Sequence, residues 1–245
     1  MDRGVYVAMS GAAQTMRAQT IHANNLANIN TTGFRSDLAQ ARSMPVFGEH
    51  HPSRVYAMTE RPGSDLSSGT LTQTGNPLDI AVAGEGWIAV SGPDGREAYT
   101  RAGDLRIDAL GQLTTASGLP VLGNGGAIAV PPAQKIQIGA DGTLSIVPQG
   151  GDGQTLTEVD RIKLVNPDAR QLRKEQDGLF RLAAGAVAEA DATVRVESGA
   201  IERSNVNAVE SMSEIITLAR QFEMQVKMMK TFEENAAQST RILQM

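Results

Sequence analysis

At 245 residues, 41% of them apolar, the chain is long enough to bury a sizeable core, as one large domain or two smaller ones. Its formal charge of −5 offers no basic footprint for nucleic acid or for an acidic membrane surface. Cysteine is absent, which removes disulfides and thiolate metal sites, and no apolar run approaches the roughly 18 residues that span a bilayer.

The chain opens Met1-Asp2-Arg3-Gly4-Val5-Tyr6-Val7-Ala8-Met9, without the apolar stretch of a cleavable signal peptide. Taken alone, that predicts a cytosolic protein. All Gly except Gly4 and Gly11 lie between Gly33 and Gly199, and all Pro lie between Pro45 and Pro167. Helices tolerate these residues least, so both ends are free to be helical and the middle is not. Near the start, Tyr6, Met9, Ala13, Met16, Thr20, Ala23 and Ala27 recur at helical spacing as a stripe of mostly small residues. This stripe is expected to meet the C-terminal helix, since small side chains allow close approach. Repeated Asn and then Thr31-Thr32-Gly33 end the helix and turn the chain.

An extended connection follows over 33–70, and then a β-rich middle over 71–204. Pro77–Ala83, Gly84-Glu85-Gly86 and Trp87–Val90 read as strand, turn and strand. Further short strands are expected at 99–101, 105–107, 112–114, 121–122, 127–130, 135–138, 143–147, 161–165, 179–182 and 194–196. Turn chemistry separates them, as at Pro93-Asp94-Gly95 and Ala140-Asp141-Gly142. Strands so spaced, with no helices between them, predict an all-β sandwich or irregular barrel. Residues Pro148–Thr157 form a Gly/Gln-rich loop.

Asn207 with Glu210 reads as a capping box opening the last helix. From there Met212, Ile215, Ala219, Phe222, Val226, Met229, Phe232, Ala236 and Leu243 recur at three- and four-residue spacing, with Ile216 and Leu218 widening the stripe. Roughly 36 residues make a rod of about 54 Å, too long to bury its stripe against itself. On periodicity alone the two ends read equally well as ordinary core helices of an α+β domain.

Little in the chain carries catalytic chemistry. His22 sits in the N-terminal helix and His50-His51 in the connection, without metal-ligand spacing. No nucleophile elbow is present, and the acidic residues serve turns. Gly84-Glu85-Gly86-Trp87-Ile88-Ala89 matches a dinucleotide fingerprint, but its glycines lead into a strand where the fingerprint needs a helix. No catalytic, cofactor or metal residues are therefore assigned, and no cofactor is expected.

Three blocks, in order, resemble the bacterial flagellar rod and hook axial protein family. The first is Ala23–Arg35, preceded by Met9-Ser10-Gly11-Ala12. The second is Thr74–Val82, with Gly86-Trp87 and Tyr99–Asp104 downstream. The third is Gly199–Asn207, leading into Arg220–Lys227. Within the family the chain most resembles subunits of the basal-body rod, with the distal rod protein as the near neighbour.

The resemblance implies an α+β fold. A discontinuous, coiled-coil-like helical assembly domain (1–32 plus 205–245) would flank the inserted all-β domain. It also implies a structural subunit that is not an enzyme, exported unfolded by the flagellar type III apparatus to the periplasmic rod. Expected partners are copies of itself, other rod subunits and the export apparatus, with no nucleic acid and no membrane insertion. The implied assembly interface comprises Met9, Met16, Asn24, Asn25, Leu26, Asn28, Asn30, Gly33, Phe34, Ser204, Asn205, Met212, Ile215, Ala219, Phe222, Val226, Met229, Phe232 and Leu243. From a different class, a secreted β-domain binding module with a helical dimerisation stalk fits the same periodicity. An enzyme is the weakest reading.

Overall fold

The computed structural model describes residues 4–45, 55–60, 63–149 and 156–243. Met1-Asp2-Arg3, Val46, His50-His51, most of the Gly/Gln-rich loop and the side chain of Leu243 lie outside the described residues. The chain forms two compact units. One comprises Met1–Ile29, Ser36–Asp65 and Val206–Met245, and the other comprises Asn30–Arg35 and Leu66–Asn205. The fold is α+β, with a β-rich region inserted between an N-terminal and a C-terminal helix.

In the helical unit, α1 (Gly4–Ala27) packs against α2 (Ala208–Leu243). Gly4 lies at Phe232 and Gly11 at Gln225, so rising numbers on α1 meet falling numbers on α2 and the pair is antiparallel. Asn207 caps α2, its Oδ1 accepting from the amides of Val209 (3.1 Å) and Glu210 (3.4 Å).

The face of α1 turned to α2 differs from the expected one. Ala8, Ala12 and Thr15 are buried and Gly4 and Gly11 half-buried, whereas Tyr6, Met9, Ala13, Met16, Thr20, Ala23 and Ala27 are all exposed. The small-residue argument holds, but it selects the face with the smallest residues. The Tyr and Met side chains of the expected stripe are too large for so close an approach.

Residues 36–65, read from sequence as part of an extended connection, belong to this unit and contain a hairpin. Strand β1 (Gln40–Pro45) pairs antiparallel with β2 (Val55–Glu60), Gln40 opposite Glu60. The ribbon is fixed to α1 by Gln14, whose side-chain oxygen accepts from the Thr59 amide (2.9 Å) and whose carbonyl accepts from the Thr59 hydroxyl (3.1 Å). Nearer the helix end, Asn25 Nδ2 donates to the Asp37 carbonyl and Asn25 Oδ1 accepts from the Asp37 amide, both at 2.8 Å.

The β unit contains β3 (Leu71–Gln73), β4 (Ile80–Ala83), β5 (Trp87–Ser91), β6 (Glu97–Thr100), β7 (Leu105–Ile107), β8 (Leu113–Thr115), β9 (Leu122–Gly123) and β10 (Gly126–Ala127). It continues with β11 (Ala133–Ile138), β12 (Thr143–Pro148), β13 (Thr157–Arg161), β14 (Leu164–Val165), β15 (Leu172–Lys174), β16 (Phe180–Leu182), β17 (Arg195–Ser198) and β18 (Ala200–Glu202). The pairing makes a patchwork of small antiparallel sheets. A five-stranded one has the order β14-β5-β6-β16-β15, a three-stranded one is β11-β12-β13, and the rest are two-stranded, including β4 with β17 and β3 with β18.

Strand β5 explains why the unit holds together. Its successive residues Trp87, Ile88, Ala89 and Val90 are all buried. Ile88 and Val90 join the main core with Ile80, Leu105, Leu113, Val121, Leu144 and Ile162, while Trp87 and Ala89 join a second cluster with Tyr99, Val165 and Phe180. Period-two side chains on a strand buried on both faces give that continuous apolar run.

The expected single strand at 161–165 is two strands in different sheets. Ile162 bridges Gly123, and the Lys163 amide and carbonyl bond to Leu122 and Ala89, so the chain changes sheet there. The expected strand at 127–130 is likewise shorter, with β10 ending at Ala127.

Candidate assembly surface

Glu202, at the end of β18, organises the place where the chain leaves the β unit. Its carboxylate is sealed from solvent, with Arg35 Nη2 at 2.7 Å from Oε1 and Arg101 Nη1 at 3.0 Å from Oε2. Oε1 also accepts from the Gly69 amide at 2.8 Å. The two guanidiniums lie 6.0 and 5.4 Å from the ring centroid of Trp87, within cation–π range. Burial pulls the Arg101 pKa down while the Glu202 charge pushes it back up. Gly33 bonds to the Glu202 carbonyl at 2.8 Å and sits at φ 66°. A Cβ there would lie 2.2 Å from the Arg101 carbonyl carbon, so only glycine fits. Sequence reasoning missed this cluster, because a lone Glu in a short strand gives no sign of which arginines will reach it.

The residues expected at an assembly interface fall into three groups. Asn30, Gly33, Phe34, Ser204 and Asn205 belong to the β unit, where Asn205 donates its amide to the Phe34 carbonyl (3.3 Å) and Gly33 and Ser204 are buried. Leu26, Asn28, Ile215, Ala219, Phe222, Met229 and Phe232 are half-buried in the helical unit, and Asn25 is buried on Asp37. Met9, Met16, Asn24, Met212 and Val226 are exposed. Leu243 closes α2.

The helical unit thus leaves apolar surface open on two elements. On α1, beside the packed small-residue positions, Tyr6, Met9 and Met16 are 55%, 53% and 54% exposed. On α2, Val209, Met212 and Ile216 form an open patch, and Met224 and Met228 another. A groove of about 480 Å³ lies between the start of α1 and the later part of α2, walled by Val5, Tyr6, Val226, Met229, Phe232 and Ala236. Scattered exposed apolar residues are ordinary, but a periodic face of them on a helix marks an interaction surface.

Helical ends with open apolar surface, joined to an antiparallel β unit with its own core, define a building-block class of protein. The chain belongs to the FlgF family of flagellar basal-body rod proteins, on three family matches and several relatives. The family described as Flagella basal body rod protein matches residues 5–35. Flagellar hook protein FlgE/F/G D1 domain matches 81–146, and Flagellar basal body rod FlgEFG protein C-terminal matches 197–242. The flagellar basal-body rod protein FlgF of Escherichia coli K12 is 43% identical over all of both chains, and that of Salmonella typhimurium is 42% identical over the same extent. The rod protein FlgG of Bacillus subtilis is 33% identical over 96% of each.

Proposed function

We propose that this chain is a structural subunit of the flagellar basal-body rod, in its proximal part, and that it polymerises through its terminal helices rather than catalysing a reaction. The observation that carries this reading is the open apolar surface of α1. Ala8, Ala12 and Thr15 are closed off along the side that meets α2, and Tyr6, Met9 and Met16, beside that contact, present apolar surface to solvent. In a helical, non-closing assembly each subunit uses different surfaces toward its two neighbours, and an open stripe beside a groove supplies them. The expected interface residues Met9, Met16, Met212 and Val226 belong to that surface. The half-buried Ile215, Ala219, Phe222, Met229 and Phe232 set the helix pair that presents it. Copies of itself and other rod subunits are the partners, reached after export through the flagellar type III apparatus to the periplasm. Among the described residues no helix is long and apolar enough to cross a membrane.

The full-length identity to FlgF proteins favours this position over that of the distal rod protein. The deciding experiment is electron microscopy of basal bodies from a strain deleted for this chain, with swimming scored after complementation. Truncated rods rescued by the full chain, but not by one ending at Val206, are the expected result. Intact rods and normal swimming in the deletion strain would refute it.

A further inference from the structure

Between two passes through the helical unit the chain enters the β unit for only the short segment Asn30–Arg35. A few strong polar contacts hold it there. The Gly33 amide donates to the Glu202 carbonyl, and Arg35 pairs with the Glu202 carboxylate. Arg203 Nη2 donates to Asn30 Oδ1 at 3.1 Å. Lys174 Nζ donates to the Arg35 carbonyl at 2.7 Å and lies 3.8 Å from the Phe34 ring centroid. The same carboxylate binds Gly69, beside the point where the chain re-enters the β unit at Leu66, and Glu202 itself stands just before the exit at Asn205. One buried acidic group therefore ties together the places where this unit gives its chain to the helices.

The segment's anchorage differs in kind from that of the core strands. Phe34 is only half-buried, so apolar burial contributes little. Two guanidiniums share one carboxylate, and Arg35 Nε and Nη1 have no hydrogen-bond acceptor among the described residues. The desolvation of Arg35 is thus only partly offset, whereas Trp87–Val90 of β5 and Ala98-Tyr99 of β6 are buried.

We propose that Asn30–Arg35 is a releasable strap, in effect a peptide ligand of the β unit carried on the same chain and latched by Glu202. It opens without unfolding the β core. Release frees the chain on either side of it to rearrange as the helices pack with neighbouring subunits, a use that rests on the rod reading.

Hydrogen exchange on the full chain in solution tests the strap. In the wild-type protein, peptides covering 30–35 are expected to exchange through an opening with weaker denaturant dependence than peptides from β5 and β6. Arg35→Met keeps the Glu202–Arg101 pair one to one and orphans no charge. It should accelerate exchange in 30–35 by about tenfold while β5 and β6 change by less than about twofold. Trp87, the only tryptophan and a neighbour of both guanidiniums, should shift its emission without a matching change in melting. Equal acceleration in 30–35, β5 and β6, or none in 30–35, overturns the strap. If the variant does not fold, the wild-type denaturant dependence decides alone, and a strap that opens only with the core refutes the proposal. The truncation at Val206 decides the rod reading separately.

Discussion

Gly11 of α1 stands so close to Gln225 of α2 that a Cβ on Gly11 would lie 2.9 Å from the Gln225 amide nitrogen. The contact limits how large α1 can be along this face, and it separates two substitutions. In Gly11→Ala the added methyl meets the end of a flexible side chain, and the helix propensity gained is about 1 kcal/mol, so stability should change by less than about 1 kcal/mol. Gly11→Leu has no room beside Gln225 and must push the helices apart. Its helical signal by circular dichroism should melt well below that of Gly11→Ala. Equal melting of the two variants would show that the helices do not pack along Gly11.

Tyr99 offers a pH-dependent test of the second core cluster. Its ring is buried and its hydroxyl oxygen accepts from the Ala188 amide at 2.7 Å. Burial, with a smaller push from the Glu97 charge, raises its pKa from 10.0 to about 12. The folded state therefore holds the phenol proton more tightly than the unfolded chain. This stabilisation is complete below about pH 10 and is lost as the pH rises toward 12. Tyr99→Phe should cost about 1–3 kcal/mol near neutrality, because the Ala188 amide is left without its acceptor. It should also flatten the fall in stability above pH 10 in denaturant titrations. An unchanged alkaline slope would count against the assignment.

Much of this was legible in the sequence, and the failures share a cause. The segregation of Gly and Pro located both helices, because it is a local backbone effect. The run Trp87–Val90 announced a strand, and the structure adds that both its faces are buried. The hairpin β1–β2 was invisible because its residues are exposed or half-buried, so no apolar alternation marks it. On α1 the small-residue criterion was applied to the stripe at helical spacing that contains Tyr6, Met9 and Met16, whereas the still smaller set Gly4, Ala8, Gly11 and Ala12 is the one turned to α2. Helix contact is decided by approach distance, and there the smaller set wins. The Arg35–Glu202–Arg101 cluster depends on pairings far apart in sequence, which no local pattern encodes.

Arg181, on the interior strand β16 of the five-stranded sheet, gathers three carboxylates. Its guanidinium is buried and lies 2.9 Å from Glu175, 2.8 Å from Asp177 and 3.3 Å from Asp94, and Arg96 joins Asp94 and Glu175. Hydrogen bonds from Arg96, with the nearby Arg181 charge, lower the Asp94 pKa from 3.8 to about 2. The stabilisation from Asp94 is complete above its ordinary value of 3.8 and is lost progressively as the pH falls from there through about 2. Arg181→Met leaves like charges facing one another and should destabilise the β unit by about 1–3 kcal/mol at neutral pH. The deficit should shrink in acid, as the carboxylates become neutral. Thermal melts at pH 7 and pH 3 check both parts, and a deficit that grows in acid would contradict the charge argument.

The sharpest prediction contrasts the two faces of α1. Met9 and Met16 are more than half exposed, whereas Ala8 is 6% exposed on the side turned to α2. Glutamate and methionine have similar helix propensity, so Met9→Glu with Met16→Glu leaves the intrinsic stability of α1 nearly untouched. The isolated double variant should melt within about 0.5 kcal/mol of the parent, as surface substitutions do. In a rod the same charges would be buried against a neighbour, and swimming after complementation should be lost. Ala8→Glu places a carboxylate between the two helices of one chain and should cost about 3 kcal/mol or more in the isolated protein. The pattern to look for is a stable chain that cannot assemble from the outer face, and an unstable chain from the inner one. If the Met variants melt early, that stripe is covered within the chain itself. If they swim normally, neighbouring subunits meet elsewhere.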